Sequence, residues 1–306
     1  MGTSSCHGSE DLASILDGRR VAEARSRICG RADRNFGLSA ADTGVVNHPL
    51  SHKVIPVQGG FDSLVMSPDI AGRLREIVAR WSTRALVLEH WGLAGRLRGD
   101  GLLCYFHGPS GTGKTAAAGV IAEAAGVPLY RVNVAGVVSK YIGETEKHLA
   151  EILDGAEAEG AALVFDEADA LFARRSDPKG SGELSHNQQV AYLLDRIERY
   201  NGLGFLTTNL DHAIDGAFRR RFHVCVEFRV PDRDARSRIW RLSLARAPIA
   251  DDVDFGKLAR TELSGGFIQK AAFNAASRAA TGPGVVQMSH LEEALDDELA
   301  GLGRLM

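Results

Sequence analysis

The run Gly108-Pro109-Ser110-Gly111-Thr112-Gly113-Lys114-Thr115 spells G-x-x-x-x-G-K-[ST]. It lies between an apolar stretch, Leu102-Leu103-Cys104-Tyr105-Phe106, and an alanine-rich segment of helical character at 116–125. A buried strand, a glycine-rich turn and a helix in that order restrict the chain to α/β folds in which a sheet delivers a loop to a helix N-terminus. Glycines there let backbone N–H groups curl around phosphate oxygens, and the helix terminus adds its positive end. Lys114 then reaches the terminal phosphates and Thr115 ligates magnesium.

Further short apolar runs follow: Leu129-Tyr130-Arg131-Val132, Ala162-Leu163-Val164-Phe165, Gly204-Phe205-Leu206-Thr207-Thr208 and Val224-Cys225-Val226-Glu227-Phe228. Helical segments separate them, so the pattern predicts a parallel sheet with crossover helices. Before the first strand, a helix over about Asp69 to His90 carries Ile70, Leu74, Ile77, Val78 and Trp81 on one face. Beyond Pro231 strand signals stop, and helices are expected over Asp232–Ala245, Phe255–Thr261, Phe267–Ala280 and Ser289–Leu299. Ser289-His290-Leu291-Glu292 reads as an S-x-x-E capping box for the last of them. Residues 1–60 differ from the rest, with one plausible helix at Glu10–Cys29 and a hinge at Gly59-Gly60. Three regions result: 1–60, partner-binding or linker; 61–231, an α/β domain; and 232–306, a helical subdomain.

Charge balance is 36 basic against 39 acidic residues, net −3, which gives no global field to attract nucleic acid or an anionic membrane. Four dispersed cysteines (Cys6, Cys29, Cys104, Cys225) argue against a zinc ribbon or a disulfide framework. No leader pattern opens the sequence, and no run approaches the roughly 20 apolar residues that span a bilayer. The expectation is a soluble, cytoplasmic protein.

After Leu163-Val164-Phe165 come Asp166-Glu167, two carboxylates at a strand tip. Asp166 suits the magnesium shell, and Glu167 can orient and deprotonate an attacking water. Asp166-Glu167-Ala168-Asp169 also matches the DEAD-box helicase signature, but the 137 residues after it are too few for a second nucleotide-binding domain plus the helical tail, so a helicase is not expected. Asn209 ends its strand, where a neutral amide can meet both the γ-phosphate and that water. Arg219-Arg220-Arg221 packs three guanidiniums that repel unless anions reach them, such as a neighbouring subunit's nucleotide.

With these motifs in this order, the stretch from Phe61 to Ala280 resembles an AAA+ ATPase of the AAA clade. The resemblance implies a P-loop NTPase fold with a small helical lid, Mg-dependent hydrolysis of ATP and a homo-hexameric ring that acts on proteins. Gly108 to Thr115 is similar to Walker A, Leu163 to Glu167 to Walker B and Asn209 to sensor 1. By likeness to the katanin and spastin branch, Arg220 and Arg221 become the arginine fingers. Residues 138–147 and 165–172 resemble bacterial AAA ATPases encoded beside phage-tail-like contractile injection systems. Tyr141-Ile142-Gly143 corresponds to the loop that lines the central pore in protein-threading relatives, where an aromatic ring can grip an extended peptide without reading its sequence. Two features depart from the family. Gln269 stands where many branches carry a sensor 2 arginine, and the loop 174–182 is richer in glycine than its relatives.

The expected function is a ring that remodels, threads or disassembles a protein. A nucleotide-gated scaffold and a DNA-directed loader are the alternatives, the latter without an evident basic channel or DNA-binding module.

Overall fold

The described residues form one sheet of six strands: β1 (Ser51–Lys53), β2 (Leu102–His107), β3 (Leu129–Asn133), β4 (Ala162–Asp166), β5 (Leu203–Thr208) and β6 (Val224–Glu227), in the spatial order β1-β3-β4-β5-β2-β6. The computed structural model describes residues 51–53, 59–95, 99–134, 144–171, 191–209 and 219–303, all within a unit spanning 45–306. Strands β2 to β6 run parallel, while β1 pairs antiparallel with β3, Ser51 opposite Val132 and Lys53 opposite Tyr130. All five parallel strands are those expected from the apolar runs. The edge strand β1 was not expected. Three residues are too few to show a period, and it exists through backbone pairing with a partner 79 positions away in sequence, His52 to Arg131.

The parallel strands read as continuous apolar runs because both sheet faces are covered. Every residue of β2 and β5 is buried. On one face α1 (Pro68–Ala85) and α2 (Lys114–Ala125) cover Phe106, Val164 and Phe205 with Leu74, Ile77 and Ile121. On the other, α3 (Glu144–Glu159) and the helical residues 191–198 cover Leu163 and Phe165 with Leu149, Ile152 and Leu193. Each such side chain contributes about 1.5–3 kcal/mol on burial, so these layers fix where the strand tips end.

Helix α1 starts as its sequence dictates, with Ser67 accepting the Ile70 N–H at 3.4 Å and Pro68 in the first turn. Its last expected turn widens instead of ending, since Leu86–His90 is π-helical and the Trp91 N–H reaches Leu86 O at 3.1 Å.

After β6 the chain is helical, as expected: α4 (Arg233–Ser243), α5 (Phe255–Leu258), α6 (Gly265–Thr281) and α7 (Met288–Gly303) surround Trp240, Leu258, Ile268 and Leu291. The capping box at Ser289 is corrected. Helix α7 begins one residue earlier, at Met288, and Gln287 just before it donates its N–H to His290 Nδ1 at 3.1 Å. Asp252 accepts the Met288 N–H at 3.1 Å, and Glu292 is drawn to Lys257. A carboxylate from outside the helix takes the task the motif gave to a local hydroxyl.

No helix among the described residues is long and apolar enough to cross a membrane. Cys104 and Cys225, on the paired strands β2 and β6, are free thiols, and burial raises the pKa of both.

Candidate functional site

Strands β4, β5 and β2 are neighbours, so their C-terminal tips bring Asp166, Asn209 and Gly108 to one edge of the sheet. Crevices at such edges are the usual ligand sites of open α/β sheets. Gly108 leaves β2 at φ 133°, and a Cβ on it would lie 1.9 Å from Phe228 O. Gly111 stands at φ 74°, and a Cβ there would meet Ser264 Oγ at 2.3 Å. Both positions therefore require glycine for conformation and for space.

Lys114 begins α2 and is buried at 7% exposure. Its ammonium donates to Gly108 O at 2.7 Å, Pro109 O at 2.8 Å and Asn209 Oδ1 at 2.9 Å. Thr112 Oγ1 closes the loop on Pro109 O at 2.8 Å. Thr115 Oγ1 donates to Asp166 Oδ1 at 3.0 Å, and the Thr207 hydroxyl donates to the same oxygen. The other carboxylate oxygen, Oδ2, pairs with the Arg131 guanidinium at 2.8 Å. Asp166 is thus held by three donors from three elements.

Glu167 adopts φ 53°, the one non-glycine residue with positive φ among those described. That left-handed conformation costs about 1–2 kcal/mol, and the turn it makes leaves the carboxylate exposed on the cleft wall. Its N–H donates to Thr207 Oγ1 at 3.3 Å.

The cleft has a volume of about 1240 Å³ and is walled on one side by the loop and strand tips, on the other by the helical part. The two walls touch where the Gly266 N–H, in the first turn of α6, donates to Gly111 O at 2.8 Å. Gln269, one turn further along, also lines the cleft.

A nucleotide and magnesium fit this donor set. The ammonium of Lys114 rests on neutral oxygens at the tip of a glycine cradle, ready for anionic ones. The Thr115 hydroxyl and Asp166 carboxylate are adjacent hard oxygens of the kind magnesium selects. Of the expected site residues, the structure brings together 108–115, Asp166, Glu167 and Asn209. Arg220 and Arg221 are exposed, away from this cleft's lining. Tyr141, Ile142 and Gly143 lie outside the described residues, as does the loop 174–182.

Arg221 has a partner within its own chain. Its guanidinium lies 2.7 Å from Glu198 Oε1, whose side chain is only 5% exposed. Arg221→Ala is therefore expected to leave a buried carboxylate without this cation and to cost about 1–3 kcal/mol. Arg220→Ala, at an exposed position, should cost almost nothing. At about 2–4 °C per kcal/mol for a domain of this size, parallel thermal melts resolve the difference. Equal melting temperatures would show that the pair carries no stability.

Sequence reasoning passed over Arg131, Thr207 and Asp169. A charged residue inside an apolar strand run, such as Arg131, needs an anion nearby, and that was the available signal. The Thr207-Thr208 pair at the end of an otherwise apolar strand was another.

Residues 104–230 match the model of the ATPase family associated with various cellular activities (AAA). The chain is 35% identical over 277 residues to the cell division cycle protein 48 homolog of Archaeoglobus fulgidus, covering 85% of this chain and 37% of that protein. It is 33% identical over 178 residues to proteasome-activating nucleotidase 2 of Halobacterium salinarum, covering 55% and 43% respectively. It is 36% identical over 205 residues to the ATP-dependent zinc metalloprotease FtsH 3 of Sphaerobacter thermophilus, covering 64% and 42%. The chain thus spans about two fifths of the length of these relatives.

Proposed function

We propose that this chain, whose residues 104–230 match the AAA ATPase family model, hydrolyses ATP to ADP and phosphate and uses the cycle to remodel, thread or disassemble a protein substrate. The observation that carries hydrolysis is the convergence of Lys114, Thr115, Asp166, Glu167 and Asn209 on one cleft.

In this reading Lys114 neutralises the terminal phosphates from the loop of 108–115. Thr115 and Asp166 would hold magnesium, partly through water, with Arg131 and Thr207 fixing the carboxylate. The ion would supply charge neutralisation to the phosphoryl oxygens. Glu167 accepts a proton from the attacking water, whose oxygen bonds to the γ-phosphorus as the bond to the ADP oxygen breaks. Asn209 orients that water. Arg220 and Arg221 act on the nucleotide of an adjacent subunit in a homo-hexamer, which requires Arg221 to exchange Glu198 for phosphate. Gln269 places a neutral side chain of the lid, 232–306, on the cleft it shares with the catalytic part, 61–231, so a neutral contact or none replaces a sensor 2 charge. Residues 1–60 serve as partner-binding region or linker.

Action on protein is supported by the names of the relatives, among them a nucleotidase that activates a proteasome and a protease. The finer likeness, to ATPases encoded beside phage-tail-like contractile injection systems and to katanin and spastin, belongs to this proposal and rests on the sequence of 138–147, 165–172 and the paired arginines.

Threading is tested at Tyr141. Tyr141→Ala should keep basal ATPase and lose stimulation by an unfolded protein, since an aromatic grip is worth on the order of 1–3 kcal/mol per subunit. Stimulation that survives in a stable variant would sink threading and leave hydrolysis standing. Stimulation of the unsubstituted chain by DNA, or by neither polymer, would favour the loader or the scaffold instead.

A further inference from the structure

Asp169 sits in the short 3-10 turn Ala168–Leu171, directly after Glu167 and Ala168. Its carboxylate meets the tip of β5. Oδ1 accepts the Asn209 backbone N–H at 3.0 Å and the Thr208 hydroxyl, and Oδ2 lies 3.5 Å from Asn209 Nδ2. On the opposite side Asn209 Oδ1 accepts from Lys114 Nζ at 2.9 Å. The amide is bracketed by a cation at its oxygen and an anion at its NH2 group. Turned over, it would set NH2 against ammonium and oxygen against carboxylate, so the charges of its neighbours select one sense. At 3.5 Å the contact to Nδ2 is weak alone. The two bonds to Oδ1 are what anchor the carboxylate beside it.

We propose that Asp169 is a positioning residue for hydrolysis: it holds Asn209 with the amide oxygen turned into the cleft, so that Asn209 serves the attacking water as a hydrogen-bond acceptor. This rests on the ATPase reading above. Once phosphate oxygens engage Lys114, the oxygen of Asn209 is left as an acceptor for one hydrogen of the water, while Glu167 takes the other as a proton. A freely rotating amide would present its NH2 group to the water part of the time. It would then compete with the phosphorus for the water's lone pair.

The test is a double-mutant cycle on the full chain: Asp169→Asn, Asn209→Ala and the pair together, each with ATP turnover, affinity for a fluorescent non-hydrolysable ATP analogue and melting temperature. Asp169→Asn is expected to lower kcat about ten- to a hundredfold, the range for a misplaced reacting group. KM and analogue affinity should stay within about threefold, because no phosphate contact is touched. The double variant should be no slower than Asn209→Ala alone, since Asp169 acts through that side chain. If Asp169→Asn does not fold, Asp169→Ser, which keeps a small acceptor, enters the same cycle. Losses of kcat that multiply in the double variant, or a kcat within twofold of the unsubstituted chain, would overturn the proposal. Absence of turnover in the unsubstituted chain would overturn the ATPase reading beneath it, and that control tells the two failures apart.

Discussion

Replacing Lys114 by alanine is expected to lower affinity for ATP about a hundredfold or more. The ammonium is buried and begins a helix whose N-terminus faces the cleft, so no mobile ion of solvent replaces it when phosphates arrive. Charge-assisted contacts are worth about 1.5–3 kcal/mol each, and every 1.4 kcal/mol is about tenfold in affinity. The same ammonium ties Gly108 O, Pro109 O and Asn209 together, so its loss also loosens the cradle. Titration of a fluorescent ATP analogue measures the combined effect. Binding within threefold of the unsubstituted chain would remove Lys114 from the phosphate site, and a melt recorded without nucleotide separates that role from the structural tie.

Glu167→Gln should behave in the opposite way, retaining nucleotide while turnover falls by about 10²–10⁴, the usual contribution of a positioned base. Glutamine has nearly the same shape, so the φ of 53° and the backbone bond to Thr207 persist and only proton acceptance is lost. The magnesium side of the cleft is untouched, because Asp166 keeps Thr115, Thr207 and Arg131. Single-turnover hydrolysis alongside analogue binding makes the distinction. Normal hydrolysis by this variant would mean that the water loses its proton elsewhere. A strained backbone at this one acid is in keeping with a functional demand, since a carboxylate that merely ended a strand would have no reason to leave the β region.

The two variants probe residues of unequal legibility. Lys114 was readable because its whole context is local: strand, glycine turn and helix lie within 24 consecutive residues, 102–125. Glu167 was readable from its place after an apolar run. Asp169 stands two residues further on, yet its task was invisible, since what it holds is 40 positions away. Arg131 was likewise seen only as a strand residue. Arg221 was read as a cation awaiting a foreign anion, and the structure supplies one from residues 191–198 of the same chain.

What the sequence determined by itself is whatever depends on near neighbours: the glycines at 108 and 111, the apolar runs long enough to be strands, the acids at their tips and the helices after Pro231. Burial on both faces makes such runs parallel strands wherever they fall in the chain. The tertiary structure decided which tips become neighbours. The strands occur along the chain as β2, β4, β5 but lie in the sheet as β4-β5-β2, and that order brings Asn209 to Lys114 across 95 residues and Thr115 to Asp166 across 51. It also set β1 on the sheet edge and the first turn of α6 on Gly111. Such pairings are fixed by how helices fill both faces of the sheet, a property of the packed whole that no window of the sequence contains.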